Sequence, residues 1–339
     1  MKDILFVNNG SHYGIASVGN GYIRAFEKLG IDFRYLNLFQ SPRLHAEQMN
    51  ILVRSAFTFM KPDIAIFLQP TYFDAATFHF LMTLRNSTKF YSIQTEDPYS
   101  VFAMFQMNPL FSIKFTNEKI VAESMAAQGY RYLPTAFDSL QPYLYSLERD
   151  VDFSMICNYY PNRLAYLECL KEMDCKKIIL GNIGYAMHNG LPIDMTCFTG
   201  RPGMVRRHKE YEIYSQSKYV VNPHRDPLIT GKSNFLGNEK ECRVIFEKAI
   251  SPNPRFFDAL GCGAFPLNEA ARIECHEILK DCFGIADILL PVADIQSSFT
   301  HLISKWNDVE KALLNGERNF LNTHTYMQRA QEVLGLINL

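Results

Sequence analysis

Residues 253–263 read Asn253-Pro254-Arg255-Phe256-Phe257-Asp258-Ala259-Leu260-Gly261-Cys262-Gly263. Pro252 and Pro254 set up a helix start, and Asn253 is a residue type that caps one. A helix beginning here aims its unpaired N–H groups at an anion such as a diphosphate. Arg255 adds a cationic fork at the same end. Asp258 follows three residues later near the same face, where a carboxylate accepts hydrogen bonds from ribose hydroxyls. Gly261-Cys262-Gly263 then turns the chain into a short apolar run, 264–267, which reads as a strand. On its own the segment has a second reading: an ordinary capped helix, turn and strand carrying a surface ion pair.

The surrounding pattern extends that helix-and-strand unit in both directions. Apolar runs at 153–157, 177–180, 219–221 and 264–267 alternate with helical patterns at 163–173, 207–216, 255–260, 273–280 and 295–314. The first half shows the same alternation. Strands are expected at 4–7, 33–38, 64–68, 90–94 and 112–115. Helices are expected at 22–29, 46–59, 75–84 and 118–128, the first preceded by a loop containing Gly10, Gly14, Gly19 and Gly21. Strands separated by helices of this length form parallel sheets, with the functional loops at their carboxyl ends. The expectation is an α/β protein of two Rossmann-like domains facing each other across a cleft. The first covers residues 1–145 and the second 150–316, with the linker at 137–151. An amphipathic tail, 317–339, is expected to close back onto the first domain. No repeat of 20–50 residues and no low-complexity segment interrupts this.

Composition agrees with a packed enzyme-sized chain. Its 339 residues suffice for two α/β domains, and 47% are hydrophobic against 20% charged. The net charge of −1, without a run of five like charges, argues against binding nucleic acid mainly through phosphate contacts. No stretch reads as a signal peptide or a membrane span, so a cytoplasmic location is expected. Eight cysteines fall at 157, 169, 175, 197, 242, 262, 275 and 282 without a Cys-x-x-Cys pair, which reads as buried reduced thiols.

Five segments, in order, carry a family resemblance. They are Thr95-Glu96-Asp97-Pro98-Tyr99; Phe115-Thr116-Asn117-Glu118 with Gly129 to Asp138; Tyr219 to Arg225; Asn253 to Gly263; and His324-Thr325-Tyr326-Met327-Gln328-Arg329. Together they resemble the CgeB-like glycosyltransferases, a bacterial and phage group with the GT-B fold, over roughly residues 90 to 332. The chain has Asp258 where that family usually has Glu. The resemblance implies a metal-independent transferase that takes a nucleotide-diphosphate sugar, most naturally a UDP-sugar. Asp258 would bind ribose, while Arg255 and the helix N-terminus would meet the phosphates. Asn222, His224 and Arg225 end a strand on the donor side, and Asn253, Phe256 and Gly10 complete the expected donor set. Arg163 is a second phosphate candidate, with a solvent-exposed arginine as the competing reading.

The base that deprotonates an acceptor hydroxyl has three candidates. Asp97 and Glu96 follow a strand end, although a turn-forming Asp before Pro accounts for them too. His12 sits in the first Gly-rich loop, where a polar surface role is equally in keeping. That loop fails the Gly-x-Gly-x-x-Gly dinucleotide pattern. Asp150-Val151-Asp152 reads as a solvated strand start, and His276-Glu277 lacks the second His of a zinc-protease motif. Tyr185, His188 and the run Gly200-Arg201-Pro202-Gly203 read as pocket lining or as a long surface loop. Two alternatives to a transferase remain: a UDP-sugar 2-epimerase of the same fold, and a non-catalytic nucleotide-sugar or glycan-binding partner. A protein, a polysaccharide and a modified nucleobase are all open as acceptors.

Overall fold

The structure, a computed structural model, describes residues 2–8, 13–38, 44–141, 148–229, 232–233, 240–241, 244–285 and 295–338. The chain divides into two compact units. One comprises Met1–Thr135, Pro227–Ala249 and Tyr326–Leu339; the other comprises Ala136–Asp226 and Ile250–Thr325.

In the first unit, β1 (Ile4–Asn8), β2 (Arg34–Asn37), β3 (Ile64–Leu68), β4 (Lys89–Gln94), β5 (Ile113–Thr116) and β6 (Tyr130–Tyr132) form one sheet, ordered β2-β1-β3-β4-β5-β6. Every pairing in it is parallel. The crossovers that parallel pairing requires carry α1 (Tyr13–Lys28), α2 (Ala46–Met60), α3 (Ala75–Thr83), α4 (Val101–Met104) and α5 (Lys119–Ser124). β1 and β3 are buried along their whole length, as strands covered on both faces must be. A two-residue antiparallel pair, β10 (Lys232–Ser233) with β11 (Lys240–Glu241), belongs to the same unit.

The second unit has a four-stranded parallel sheet. Its strands β7 (Val151–Asn158), β8 (Lys177–Asn182), β9 (Ser217–Val221) and β12 (Phe265–Leu267) are ordered β12-β9-β7-β8. With it come α6 (Pro161–Glu172), α7 (Gly184–His188), α8 (Arg207–Gln216), α9 (Pro254–Gly261), α10 (Ile273–Phe283) and α11 (Ile295–Thr323). Tyr219 anchors its core. The ring packs 5.5 Å from Phe153 and 5.3 Å from Trp306, and its hydroxyl donates to the Leu302 carbonyl at 2.7 Å, which ties α11 to the sheet. None of the described helices is long and apolar enough to cross a membrane.

The last helix, α12 (Tyr326–Leu336), packs in the first unit against α1, with the Tyr22 and Tyr326 rings 5.1 Å apart. The tail is thus two helices broken near residue 324, the first of them part of the second unit.

One expected loop proves to be a helix. Glycines 14, 19 and 21 lie inside α1, which starts nine residues before the expected position 22. Propensity opposes glycine there, but close packing requires it at 19 and 21. A Cβ on Gly19 would sit 1.9 Å from Asn8 Oδ1, and one on Gly21 would sit 2.4 Å from the Tyr326 ring. Gly10 and His12, proposed from sequence as site residues, lie outside the described residues. β6 was not expected; its three residues pair with Lys114, Phe115 and Thr116.

Candidate functional site

In the second sheet β8 lies on one side of β7, and β9 and β12 on the other. At such a reversal the loops leaving the carboxyl ends diverge and open a crevice where ligands bind. The loop after β9 supplies Asn222, His224 and Arg225. The loop after β12 supplies Asn268 and Glu269, and Asn253 starts α9 at the same edge.

Three asparagines bind one another there. Asn222 Nδ2 donates to Asn268 Oδ1 at 2.8 Å and to Asn253 Oδ1 at 3.2 Å, while Asn253 Nδ2 donates back to Asn222 Oδ1 at 3.0 Å. Asn253 Oδ1 also accepts the Phe256 N–H at 3.1 Å, which is the side-chain cap of α9. These amides are spent on each other. What they hold in place is Arg255, whose Nε donates to Asn222 Oδ1 at 3.2 Å and whose Nη1 donates to the Ile156 carbonyl of β7 at 3.1 Å. Arg255 is half-buried, and among the described residues no carboxylate pairs with it. With proline at the first position of α9 and Phe256 capped, the Arg255 N–H is the amide of that turn left over. The edge therefore presents a fixed cation with no carboxylate in ion-pair contact among the described residues, though the part-buried Glu210 lies near enough to feel its charge.

His224 is almost completely enclosed and joins four segments. Its backbone N–H donates to Glu269 Oε1 at 2.6 Å, its ring Nδ1 lies 2.9 Å from Glu269 Oε2, and its Nε2 lies 3.2 Å from the Asn253 N–H. Asn162, at the start of α6, donates to its carbonyl at 2.7 Å. Burial, with the nearby Arg272 charge, pushes the imidazole down to about 4, against the pull of Glu269. Burial pulls the Glu269 carboxyl upward, but the bond to His224 outweighs it and the net shift is down. The pair is a neutral imidazole beside an ionised carboxylate. Arg272 completes this end by donating to the Ser251 and Arg225 carbonyls at 3.2 and 3.1 Å.

Asp258 occupies a different environment from a ribose-binding carboxylate. It has no exposed surface; its oxygens accept from Arg207 Nη1 at 2.6 Å and from the Tyr211 hydroxyl at 3.0 Å. Burial pushes it up to about 7, against the attraction of Arg207. Phe256 is likewise fully buried, in the core of the unit. Sequence reasoning expected both at the ligand; the structure packs both inside.

Arg163 is not a surface arginine. It is 3% exposed, donates to the Asn158 carbonyl at 2.5 Å, and lies 4.9 Å from the Tyr160 ring centroid. Arg225 approaches the same ring at 5.0 Å, and Tyr185 meets it edge-on at 4.7 Å. Two guanidiniums thus gather on one aromatic plate just past β7, an arrangement that cation–π attraction favours.

In the first unit Asp97 follows β4 and is enclosed. Ser100 Oγ and Thr116 Oγ1 donate to its two oxygens at 3.0 and 2.7 Å, and its N–H donates to Asn117 Oδ1 at 3.1 Å. Burial, partly offset by those hydroxyls, pushes it up to about 6. Glu96 beside it is only part-buried. Of the site residues read from sequence, the structure gathers Asn222, His224, Arg225, Asn253, Arg255 and Arg163 at one sheet edge. Sequence reading missed Asn268, Glu269, Arg207 and Tyr160. Asn268-Glu269 directly follows an expected strand, the same signal that singled out Asn222, and was open to the same reading.

A family model described as glycosyl transferase-like matches residues 163–335, just over half of the chain. Solved structures share the fold across nearly the whole length. A sucrose-phosphate synthase from Thermosynechococcus elongatus has a TM-score of 0.64 at 9% identity, covering 100% of this chain and 98% of that one. Anabaena HepE in complex with UDP-glucose has a TM-score of 0.60 at 10% identity, covering both chains completely. A putative UDP-N-acetylglucosamine 2-epimerase from Listeria monocytogenes has a TM-score of 0.56 at 12% identity, covering 99% and 95%. At such identities the likeness is one of fold. No curated protein matches the chain in sequence.

Proposed function

The chain belongs to the glycosyl transferase-like family, and from that premise we propose that it moves a sugar from a nucleotide-diphosphate donor, a UDP-sugar, to a hydroxyl acceptor. The observation that carries this reading is Arg255, a half-buried guanidinium fixed on two sides at the carboxyl edge of β7 and β9 with no carboxylate of its own among the described residues. Transfer of the sugar adds one negative charge to a diphosphate that already carries two, and a cation already oriented toward that charge needs no reorganisation at the moment of bond breaking. The Arg255 N–H at the start of α9 adds a dipole of the same sign. Arg163 and Arg225, gathered on Tyr160, extend the positive edge past β7. The UDP-sugar complex of a protein with this fold supports the choice of donor class, and the five ordered segments support the CgeB-like subfamily.

In the first unit the solvent-accessible carboxylate after β4 is Glu96, so we assign deprotonation of the acceptor to it in preference to the enclosed Asp97. The test is incubation with a panel of nucleotide sugars, with and without cell extract as the acceptor source, following nucleotide release and the fate of the sugar. Transfer to a component of the extract is expected, with release of UDP. Conversion of the donor into its 2-epimer without transfer would make the protein an epimerase, and no turnover of any donor would overturn the enzyme reading.

A further inference from the structure

We propose that His224 is a positioning residue of the donor site, a neutral imidazole locked in its Nδ1–H tautomer that fixes the Asn253 cap and, through it, the Arg255 guanidinium. The tautomer follows from one donor whose role is not in doubt. The Asn253 backbone amide only donates, and it lies 3.2 Å from Nε2, so Nε2 carries a lone pair and no proton. The single ring proton is then on Nδ1, aimed at Glu269 Oε2 2.9 Å away. A second proton on Nε2 would set N–H against N–H. Of the charged groups around the ring, Glu269 favours a cation, whereas Arg272 and Arg255 oppose one.

The consequence runs along a chain of contacts. His224 takes the Asn253 N–H, Asn253 and Asn222 exchange amide bonds, and Asn222 Oδ1 takes the Arg255 Nε–H. Arg255 is held by a residue that is itself too buried to touch a ligand. Glu269 enters the same device: its negative charge, placed beside a site for an anion, is tied to the ring proton and to the His224 N–H. The proposal rests on the donor-site reading for what Arg255 binds, but the tautomer does not depend on it.

The experiment has two arms. Nitrogen chemical shifts of the full chain labelled with ¹⁵N-histidine should show one histidine with a protonated Nδ1 and a lone-pair Nε2, unchanged from pH 8 to pH 5. Its assignment is made by its loss in His224→Gln. An Nε2–H signature, or titration of that signal near pH 6.5, would overturn the proposal. In the second arm, calorimetry measures UDP affinity for the wild type, H224A, H224Q, R255A and the double variant H224A/R255A. H224A should weaken UDP roughly tenfold, the loss expected from about 1.4 kcal/mol. H224Q, whose side-chain oxygen can take the Asn253 N–H, should recover most of it. The double variant should bind no worse than R255A alone, since His224 acts through Arg255. Wild-type affinity in H224A, or fully additive losses in the double variant, sinks the positioning role. A wild type that does not bind UDP sinks the donor reading instead and leaves the tautomer to be decided by the first arm.

Discussion

The Asp258 carboxylate lies 2.6 Å from the Arg207 guanidinium, and neither side chain has more than 8% of its surface exposed. Such a pair is costly to break from the carboxylate side, because the guanidinium cannot shed its charge, whereas Asp258, already pushed up to about 7, can take a proton. Arg207→Ala, which lets Asp258 protonate, should destabilise the fold by roughly 1–3 kcal/mol, read from urea unfolding. Asp258→Asn keeps the shape and the Tyr211 contact but leaves the Arg207 charge without its closest carboxylate, so it should cost more. Its UDP affinity should stay within about threefold of wild type, a change of well under 1 kcal/mol. A loss as large as that of Arg255→Ala would return Asp258 to the ribose contact that the family resemblance implies.

Asn222→Asp tests whether charge is what Arg255 contributes. The substitution is nearly isosteric, yet it places a carboxylate where Arg255 Nε now finds an amide oxygen 3.2 Å away. The new ion pair would cancel the Arg255 charge and repel a diphosphate. UDP affinity should fall at least tenfold, about 1.4 kcal/mol or more. Asn222→Ala loses the same two donated amide bonds but leaves the arginine charge intact, so its affinity should drop less. Equal losses in calorimetry would mean that geometry alone, not charge, explains the site.

Most of the fold was legible because its strands are unbroken apolar runs with no competing pattern. Ile64–Leu68 is the clearest case, buried on both faces and bounded by Pro62-Asp63 on one side and Gln69-Pro70 on the other. Arg255 and its asparagine neighbours were legible for a similar reason: strand ends followed by amides and an arginine are a local signal. The roles within the cluster were not. Whether a polar side chain faces a ligand or another side chain depends on contacts between residues distant in sequence. Asp258 meets Arg207 from 51 positions away, and His224 meets Glu269 from 45. Spacing along one helix cannot show either. The helix through Gly14, Gly19 and Gly21 was hidden by the same cause, because Gly19 and Gly21 answer to Asn8 and Tyr326 rather than to their own neighbours.

That last point can be measured. Gly19→Ala places a better helix former in α1, a local gain of about 1 kcal/mol. The new Cβ would nevertheless lie 1.9 Å from Asn8 Oδ1 and 2.8 Å from a Leu68 methyl, both at the buried end of central strands. Overpacking of this kind typically costs about 1–3 kcal/mol, so the clash should win and the melting temperature should fall. Gly30→Ala is a control of another kind. Its Cβ would meet nothing within 4 Å, but φ is +70°, so any loss there reflects backbone strain alone. A Gly19→Ala variant as stable as wild type would mean that α1 can shift away from β1.

The pH dependence of stability separates the enclosed Asp97 from an ordinary carboxylate. Burial pushes its carboxyl from 3.8 in the unfolded chain up to about 6, despite the Thr116 and Ser100 hydroxyls that favour the ion. Between those two values the folded state holds the proton more tightly than the unfolded state does. The group's contribution is therefore most favourable below about pH 4, declines as pH rises, and reaches its floor above about pH 6. A shift of this size corresponds to roughly 3 kcal/mol. His224 runs in the opposite sense, since its pKa is lowered: its contribution is full above about pH 6.5 and is lost as pH falls toward 4. Comparing wild type with Asp97→Asn isolates the first effect, apart from the neighbouring carboxylates of Glu118 and Glu96 that feel the Asp97 charge. The stability of wild type minus that of Asp97→Asn should rise by about 2 kcal/mol between pH 7 and pH 4 in urea unfolding, the rest of the effect falling below pH 4. A difference that stays flat would mean that Asp97 ionises at an ordinary pH, with enough access to water to compete with Glu96 for the acceptor proton.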